Sequence, residues 1–152
     1  MALWLRRLYP VAAAAAVIAV CALLVLRISG GRTEAGVVTE AWNDCKIIRE
    51  GRNLPGVENG LEIMVGDIIV TGPRSGLHFG TGDGSLIFVA ENSKLECTAP
   101  RGAKPCTLSL FRGGILAKVS HDPDRRFSVR TPDLLLKVLG TEFEVKIGGV
   151  PL

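Results

Sequence analysis

Beyond residue 36 the chain alternates between apolar and polar positions. Leu108 and Leu110, then Ile115, Ala117 and Val119, then Phe127 and Val129, then Phe143, Val145 and Ile147 recur at every second position. Ser109, Lys118, Arg130, Glu144 and Lys146 fall between or beside them. A period of two places the apolar set on one face of a strand and the polar set on the other. Glycine, proline, asparagine or aspartate interrupts the pattern every few residues, and no stretch sustains a helical period. The pattern predicts strands at 36–41, 45–49, 67–71, 76–79, 85–90, 94–97, 106–111, 115–119, 127–131, 134–138 and 142–147.

Turn chemistry agrees with this spacing. Asp83-Gly84 and Gly113-Gly114 read as tight hairpin turns, because glycine adopts positive φ at no steric cost. Thr131-Pro132-Asp133 demands an extended residue before the proline and then a turn. Residues 53–61, with Pro55, Gly56 and Gly60, read as a loop. Short strands with frequent turns predict an all-β domain, either a short-strand sandwich or a small solenoid of coils.

The N-terminal region follows a different rule. From Val11 to Leu26 there is no charge, and the low-polarity stretch over 9–28 is about long enough for a helix to cross a bilayer. Arg6 and Arg7 precede it, which points to a cytoplasmic N-terminus. The chain then divides into a short cytoplasmic tail (1–8), a transmembrane helix or uncleaved signal anchor (9–28), a linker (29–35) and a β domain (36–148). A cleaved signal peptide would share the charges and the apolar run, but a clean small-x-small site after the run is missing. A lipoprotein would need a small residue before Cys21, where Val20 stands. Each of these readings sends the β domain out of the cytoplasm.

Charge and cysteines narrow the chemistry. The chain has 18 Lys and Arg against 15 Asp and Glu, a formal charge of +3. Three of the cations (Arg6, Arg7 and Arg27) flank the apolar span, and every acidic residue lies beyond it. The exported part is therefore neutral and has no basic field for nucleic acid. Cys97 and Cys106 flank a loop with two prolines and a glycine, and in an oxidising compartment they suit a disulfide; two free thiols at strand ends are the alternative. Cys45 reads as a buried, inert thiol. With no C-x-x-C and only His78 and His121, no metal or other cofactor is expected. There is no nucleophile elbow or phosphate loop, and His78 near Asp83, or His121 beside Asp122 and Asp124, is a thin basis for catalysis. The expectation is a protein that is not an enzyme. Trp42 stands out as an aromatic that either anchors a partner or sits half-buried in the core.

Five short strings occur in a fixed order. They are Gly66-Asp67-Ile68-Ile69-Val70-Thr71-Gly72, Asp83-Gly84-Ser85, the stretch Leu108 to Val119 around Arg112-Gly113-Gly114, Phe127-Ser128-Val129-Arg130-Thr131-Pro132, and Gly140-Thr141-Glu142-Phe143-Glu144-Val145. Together they resemble the FecR domain, over about residues 36–147. The resemblance implies a non-catalytic receiver of signals in the bacterial envelope, with the β domain on the periplasmic side of the inner membrane. The motif residues themselves read as structural. Gly66, Gly72, Gly84, Gly113 and Gly140 are backbone devices; Thr71, Ser75, Ser85 and Thr131 cap turns; Phe127, Phe143 and Val145 fill the core.

Two departures qualify the resemblance. Regulatory members carry a sigma-factor-binding segment before the membrane helix, and here Met1 to Leu8 are too few for one. Members also continue with further strands where this sequence stops, which reads either as a truncated product or as an open sheet edge suited to strand addition by a partner protein. The expectation is a single-span envelope signalling and interaction module. The alternative is a structural component of the envelope that binds glycan or self-associates.

Overall fold

The structure, a computed structural model, describes residues 33–98, 107–120, 127–138 and 141–147. The expected membrane span and the tail before it lie outside these residues. Twelve strands and no helix occur among the described residues. They are β1 (Glu34–Trp42), β2 (Cys45–Arg49), β3 (Arg52–Asn53), β4 (Glu62–Met64), β5 (Ile68–Thr71) and β6 (Gly76–Gly80), then β7 (Leu86–Val89), β8 (Lys94–Thr98), β9 (Thr107–Val119), β10 (Phe127–Arg130), β11 (Leu135–Val138) and β12 (Thr141–Ile147). β1 takes in Glu34 and Ala35 from the expected linker, and Ala35 is buried.

The strands form one continuous sheet that curls into a half-barrel, in the order β3-β2-β5-β8-β9-β7-β6-β1-β4. That is neither two separate sheets of a sandwich nor the stacked coils of a solenoid. The reason is β9. Its first half pairs antiparallel with β8 and parallel with β10. Its second half pairs antiparallel with β7 and β12. One strand thus belongs to both wings of the sheet, and the sheet cannot separate there.

This overturns the hairpin expected at Gly113-Gly114. Residues 107–119 are a single strand, and Gly113 is its bend. Gly113 holds φ +81°, and the register against β8 slips between Lys94 and Leu95. A glycine with positive φ beside an extra residue is the device that sharply bends a strand without ending it. Each half of β9 still finds partners on both sides, so continuing the strand keeps ladder hydrogen bonds that a turn would forfeit. A two-glycine pair in sequence looks the same in either case. Residues 53–61 do form a connection, but it is bracketed by two short strands, β3 and β4, that periodicity cannot detect at two and three residues.

The inward faces build the core in rows across the sheet. Ile47, Ile69, Leu95 and Leu110 lie side by side on β2, β5, β8 and β9. On the other wing Leu77, Val89, Ile115 and Val145 do the same on β6, β7, β9 and β12. All eight are buried. Each contributes about 1.5–3 kcal/mol by leaving water, before the entropy cost of ordering it. Phe127 and Phe143 bring β10 and β12 together, with ring centroids 5.8 Å apart.

The bend gives a direct test. A Cβ at residue 113 would lie 2.6 Å from Ser93 Cα and would sit on a backbone conformation that side chains resist. Gly113→Ala should lower stability by about 2–4 kcal/mol in urea denaturation. Gly82→Ala, at an exposed site with nothing within 4 Å, should stay within about 0.5 kcal/mol of the parent.

Candidate functional site

The wings meet at corners, and the buried polar residues sit there. Asp67, Thr71, Ser75, Ser85 and Ser93 are all nearly inaccessible to solvent. Among the described residues no buried side-chain nitrogen or oxygen lacks a hydrogen-bond partner. At the β4–β5 corner, Gly66 takes φ +92° and donates its N–H to the Cys97 carbonyl at 2.7 Å. The Asp67 carboxylate then accepts two bonds from the Arg49 guanidinium, at 2.9 and 2.7 Å, and one from the Met64 N–H at 2.8 Å. These bonds hold the Arg49 pKa above its ordinary value.

A second network joins three corners. The Thr71 hydroxyl donates to the Ala90 carbonyl at 2.6 Å and accepts from the Ser93 N–H at 3.0 Å. The Ser93 hydroxyl accepts from the Gly114 N–H at 3.0 Å and lies 3.2 Å from the Gly114 carbonyl. Gly72 supports the same region: its N–H donates to Asp44 O at 2.8 Å, and its carbonyl accepts from Asn92 N–H. Ser75 accepts from the Asp44 N–H at 3.0 Å, closing the β1–β2 corner.

In the Asp83-Gly84-Ser85 turn, Gly84 has φ +83°. The Asp83 carboxylate accepts from the Thr81 hydroxyl and from the Ser85 N–H. Burial pushes the Asp83 carboxyl up, but these hydrogen bonds outweigh it and hold the pKa below the usual carboxylate range. Ser85 accepts from the Ser120 N–H at 3.1 Å, fastening the turn to the end of β9. Thr131 makes the β10–β11 turn, accepting from the Leu134 N–H at 3.0 Å, with Pro132 exposed at the tip. Phe127 and Val129 are buried, Val145 is nearly so, and Phe143 is half-buried. Thr141 pairs with Val119, and Gly140 lies outside the described residues. Cys97 is buried on β8, whereas Cys106 lies outside the described residues, so the expected pairing falls partly beyond them.

The motif residues are therefore spread over at least four corners and do not converge on one site. His78 and Asp83 are not partners: the His78 ring packs against Trp42 and Phe88, 5.5 and 4.9 Å between centroids. His121, Asp122 and Asp124 lie outside the described residues. Among the described residues no three of His, Cys, Asp and Glu stand close enough to hold a metal ion. Burial pushes the half-buried Cys45 thiol pKa up, and its Sγ–H faces the carbonyls of Trp42 and Gly76. Such a thiol is a poor nucleophile.

Among the described residues, the outer surface holds three further features. The first is the edge strand β12, paired only with β9 among the described residues. The second is an aromatic patch on the outer face of the β1–β6–β7 wing. Trp42, 36% exposed, stacks on Phe88 at 5.8 Å and lies flat over Gly76. A Cβ at residue 76 would stand 2.7 Å from its Cη2, so the indole occupies room that only glycine leaves. Trp42 is thus neither a core residue nor a free anchor. The third is a trough of about 780 Å³ on the outer face of β8, β9 and β10. Thr98, Thr107, Ser109 and Ser128 form its floor, and Glu96 and Arg130 flank Ser109 on the neighbouring strands. Sequence reading missed this trough, because Ser128 reaches Thr107 only through the parallel pairing of β10 with β9.

Two outcomes check the corners. Asp67→Asn weakens the charge-assisted bonds to Arg49 and should cost about 2–3 kcal/mol in chemical denaturation. Asp83 has a folded pKa below its unfolded value, so its stabilisation is full above the unfolded value of 3.8 and is lost as pH falls below it. An acid titration of melting temperature should therefore fall less steeply below that pH in Asp83→Asn than in the parent.

A family profile described as FecR protein matches residues 67–150. The matched span starts at the β4–β5 corner, later than the resemblance read from residue 36, and covers more than half of the chain. Searches of curated proteins and of solved structures returned no match. From the β4–β5 corner through β12, the chain belongs to the FecR protein family.

Proposed function

We propose that the protein is a membrane-anchored extracytoplasmic module of bacterial envelope signalling, which receives its input as a protein strand added to β12. Membership of the FecR family supports a signalling or regulatory role. The uncharged stretch over 9–28, with Arg6 and Arg7 before it, supports an inner-membrane anchor with the β domain outside.

The observation that carries the edge reading is the uneven burial of β12. Val145 is almost fully buried, but Phe143 and Ile147 on the same face are only half-buried. An interior strand would have its inward face covered on both sides. An added strand would cover these side chains and satisfy backbone groups on the outer side of β12. Glu142, Glu144 and Lys146 line the exposed face, charges that keep an open edge from pairing indiscriminately.

Two measurements test this. In cell fractionation with thiol labelling, the full-length protein should stay in membranes with single cysteines introduced at exposed positions of the β domain labelled from outside. A cleaved, soluble product would exclude signal transfer through the chain. Photo-crosslinking from position 144 should give one discrete protein adduct that position 46 on β2 does not. The same pattern from both positions would sink the edge reading.

A further inference from the structure

The trough on the outer face of β8, β9 and β10 has a hydrogen-bond inventory that selects among ligand classes. Thr98 Oγ1 lies 3.0 Å from the Thr107 carbonyl, which can only accept, so the single Thr98 hydrogen goes there. The 3.2 Å contact between Thr98 Oγ1 and Ser109 Oγ must then use the Ser109 hydrogen. Thr107 Oγ1 and Ser128 Oγ, 3.1 Å apart, consume one more. Four hydroxyls are left with one spare hydrogen and several outward lone pairs. Beside them stands the half-buried Glu96 carboxylate, which has no hydrogen-bond or ion-pair partner among the described residues. The floor is rich in acceptors and asks for a ligand rich in donors.

The walls add a second requirement. Phe111 and Leu135 are 44% and 47% exposed and line the trough together with Pro132. The Lys94 ammonium sits 5.5 Å from the Phe111 ring centroid and holds that ring in place. On the far side Arg130 supplies donors, two strands from Glu96, or about 10 Å at the usual strand spacing. A ligand must therefore offer many O–H or N–H donors along its edge and an apolar face to the aromatic wall.

We propose that this trough binds a chain of pyranose rings, that is, an oligosaccharide. Sugar hydroxyls donate to Ser109, Ser128 and Glu96, accept from Arg130, and leave the C–H face of a ring for Phe111. An extended peptide fits less well, because its backbone presents donors and acceptors in equal number. Nucleic acid is disfavoured by the neutral charge of the exported part and by the carboxylate in the floor. The trough is open, as a polymer needs. It lies on the opposite wing from β12 and is independent of the signalling reading.

The test is calorimetric titration of the full chain, solubilised in detergent, with two probes: neutral chitotetraose and carboxylated glycan strands freed from peptidoglycan. Saturable binding of either is expected. Binding should weaken about tenfold or more in Glu96→Gln, the loss of one charged hydrogen bond, and about threefold or more in Ser109→Val, the loss of a neutral one. Lys146→Ala, on the other wing, should bind as the parent does. Circular dichroism of each variant separates lost binding from lost fold, and the isosteric Glu96→Gln decides the matter should Ser109→Val fail to fold. A preference for chitotetraose identifies a neutral polysaccharide as the source, and a preference for the carboxylated strands identifies the cell wall. No saturation at millimolar concentration with either probe overturns the proposal. So does binding that is unchanged in Glu96→Gln.

Discussion

The Ser93 hydroxyl sits where the two wings of the sheet join. It accepts from the Gly114 N–H at 3.0 Å, just past the bend of β9. Its own backbone N–H donates to Thr71, and the Thr71 hydroxyl donates to Ala90. Three chain segments that are remote in sequence, at Thr71, Ala90 to Ser93 and Gly114, are tied through two buried side chains. A bend in a long strand leaves ladder groups without their regular partners, and burial makes each unpaired group costly. Gly113 makes the bend sterically possible, and Ser93 and Thr71 make it affordable in hydrogen bonds. The rows of apolar side chains on either wing can face one common core only because this joint holds.

The other corners follow the same logic with different chemistry. Asp67 uses a fork of charge-assisted bonds from Arg49, Ser75 caps the β1–β2 corner, and Ser85 fastens the Asp83 turn to the end of β9. A curled sheet of short strands has many corners, and each must satisfy backbone groups that the ladder abandons. This is why the most recognisable residues of the chain are polar yet buried. Their employment in the fold leaves other surfaces with fewer structural duties: the side of β12 that has no strand partner among the described residues, the aromatic patch over Gly76 and the hydroxyl-lined trough.

These surfaces differ in how they could bind. The β12 edge offers backbone groups and a partly covered apolar face, which suits another strand. The trough offers acceptors, one guanidinium and an aromatic wall, which suits a polyol. The Trp42–Phe88 stack is largely self-satisfied, since the indole fills space above Gly76 that would otherwise be empty. Exposure alone therefore ranks these sites poorly, and the state of their hydrogen-bond groups ranks them better.

Period-two alternation located most strands to within a residue or two, because side-chain direction alternates along any extended chain whatever its partners. Phe127/Val129 and Ile115/Ala117/Val119 point inward for that local reason. The turn at Thr131-Pro132-Asp133 was legible because proline restricts its own neighbours. The role of Gly113-Gly114 was not, since the same two residues permit a hairpin or a bend, and only the partners available to each half of β9 decide between them. β3 and β4 escaped notice because two or three residues carry no period. The trough was invisible in the sequence, as its floor depends on which strands lie side by side. Local steric preference thus settled the strands, the turns and the all-β class from the sequence alone. The curl of the sheet, the joint at Ser93 and the make-up of the outer surfaces were decided by strand pairing between distant segments, which only the tertiary structure contains.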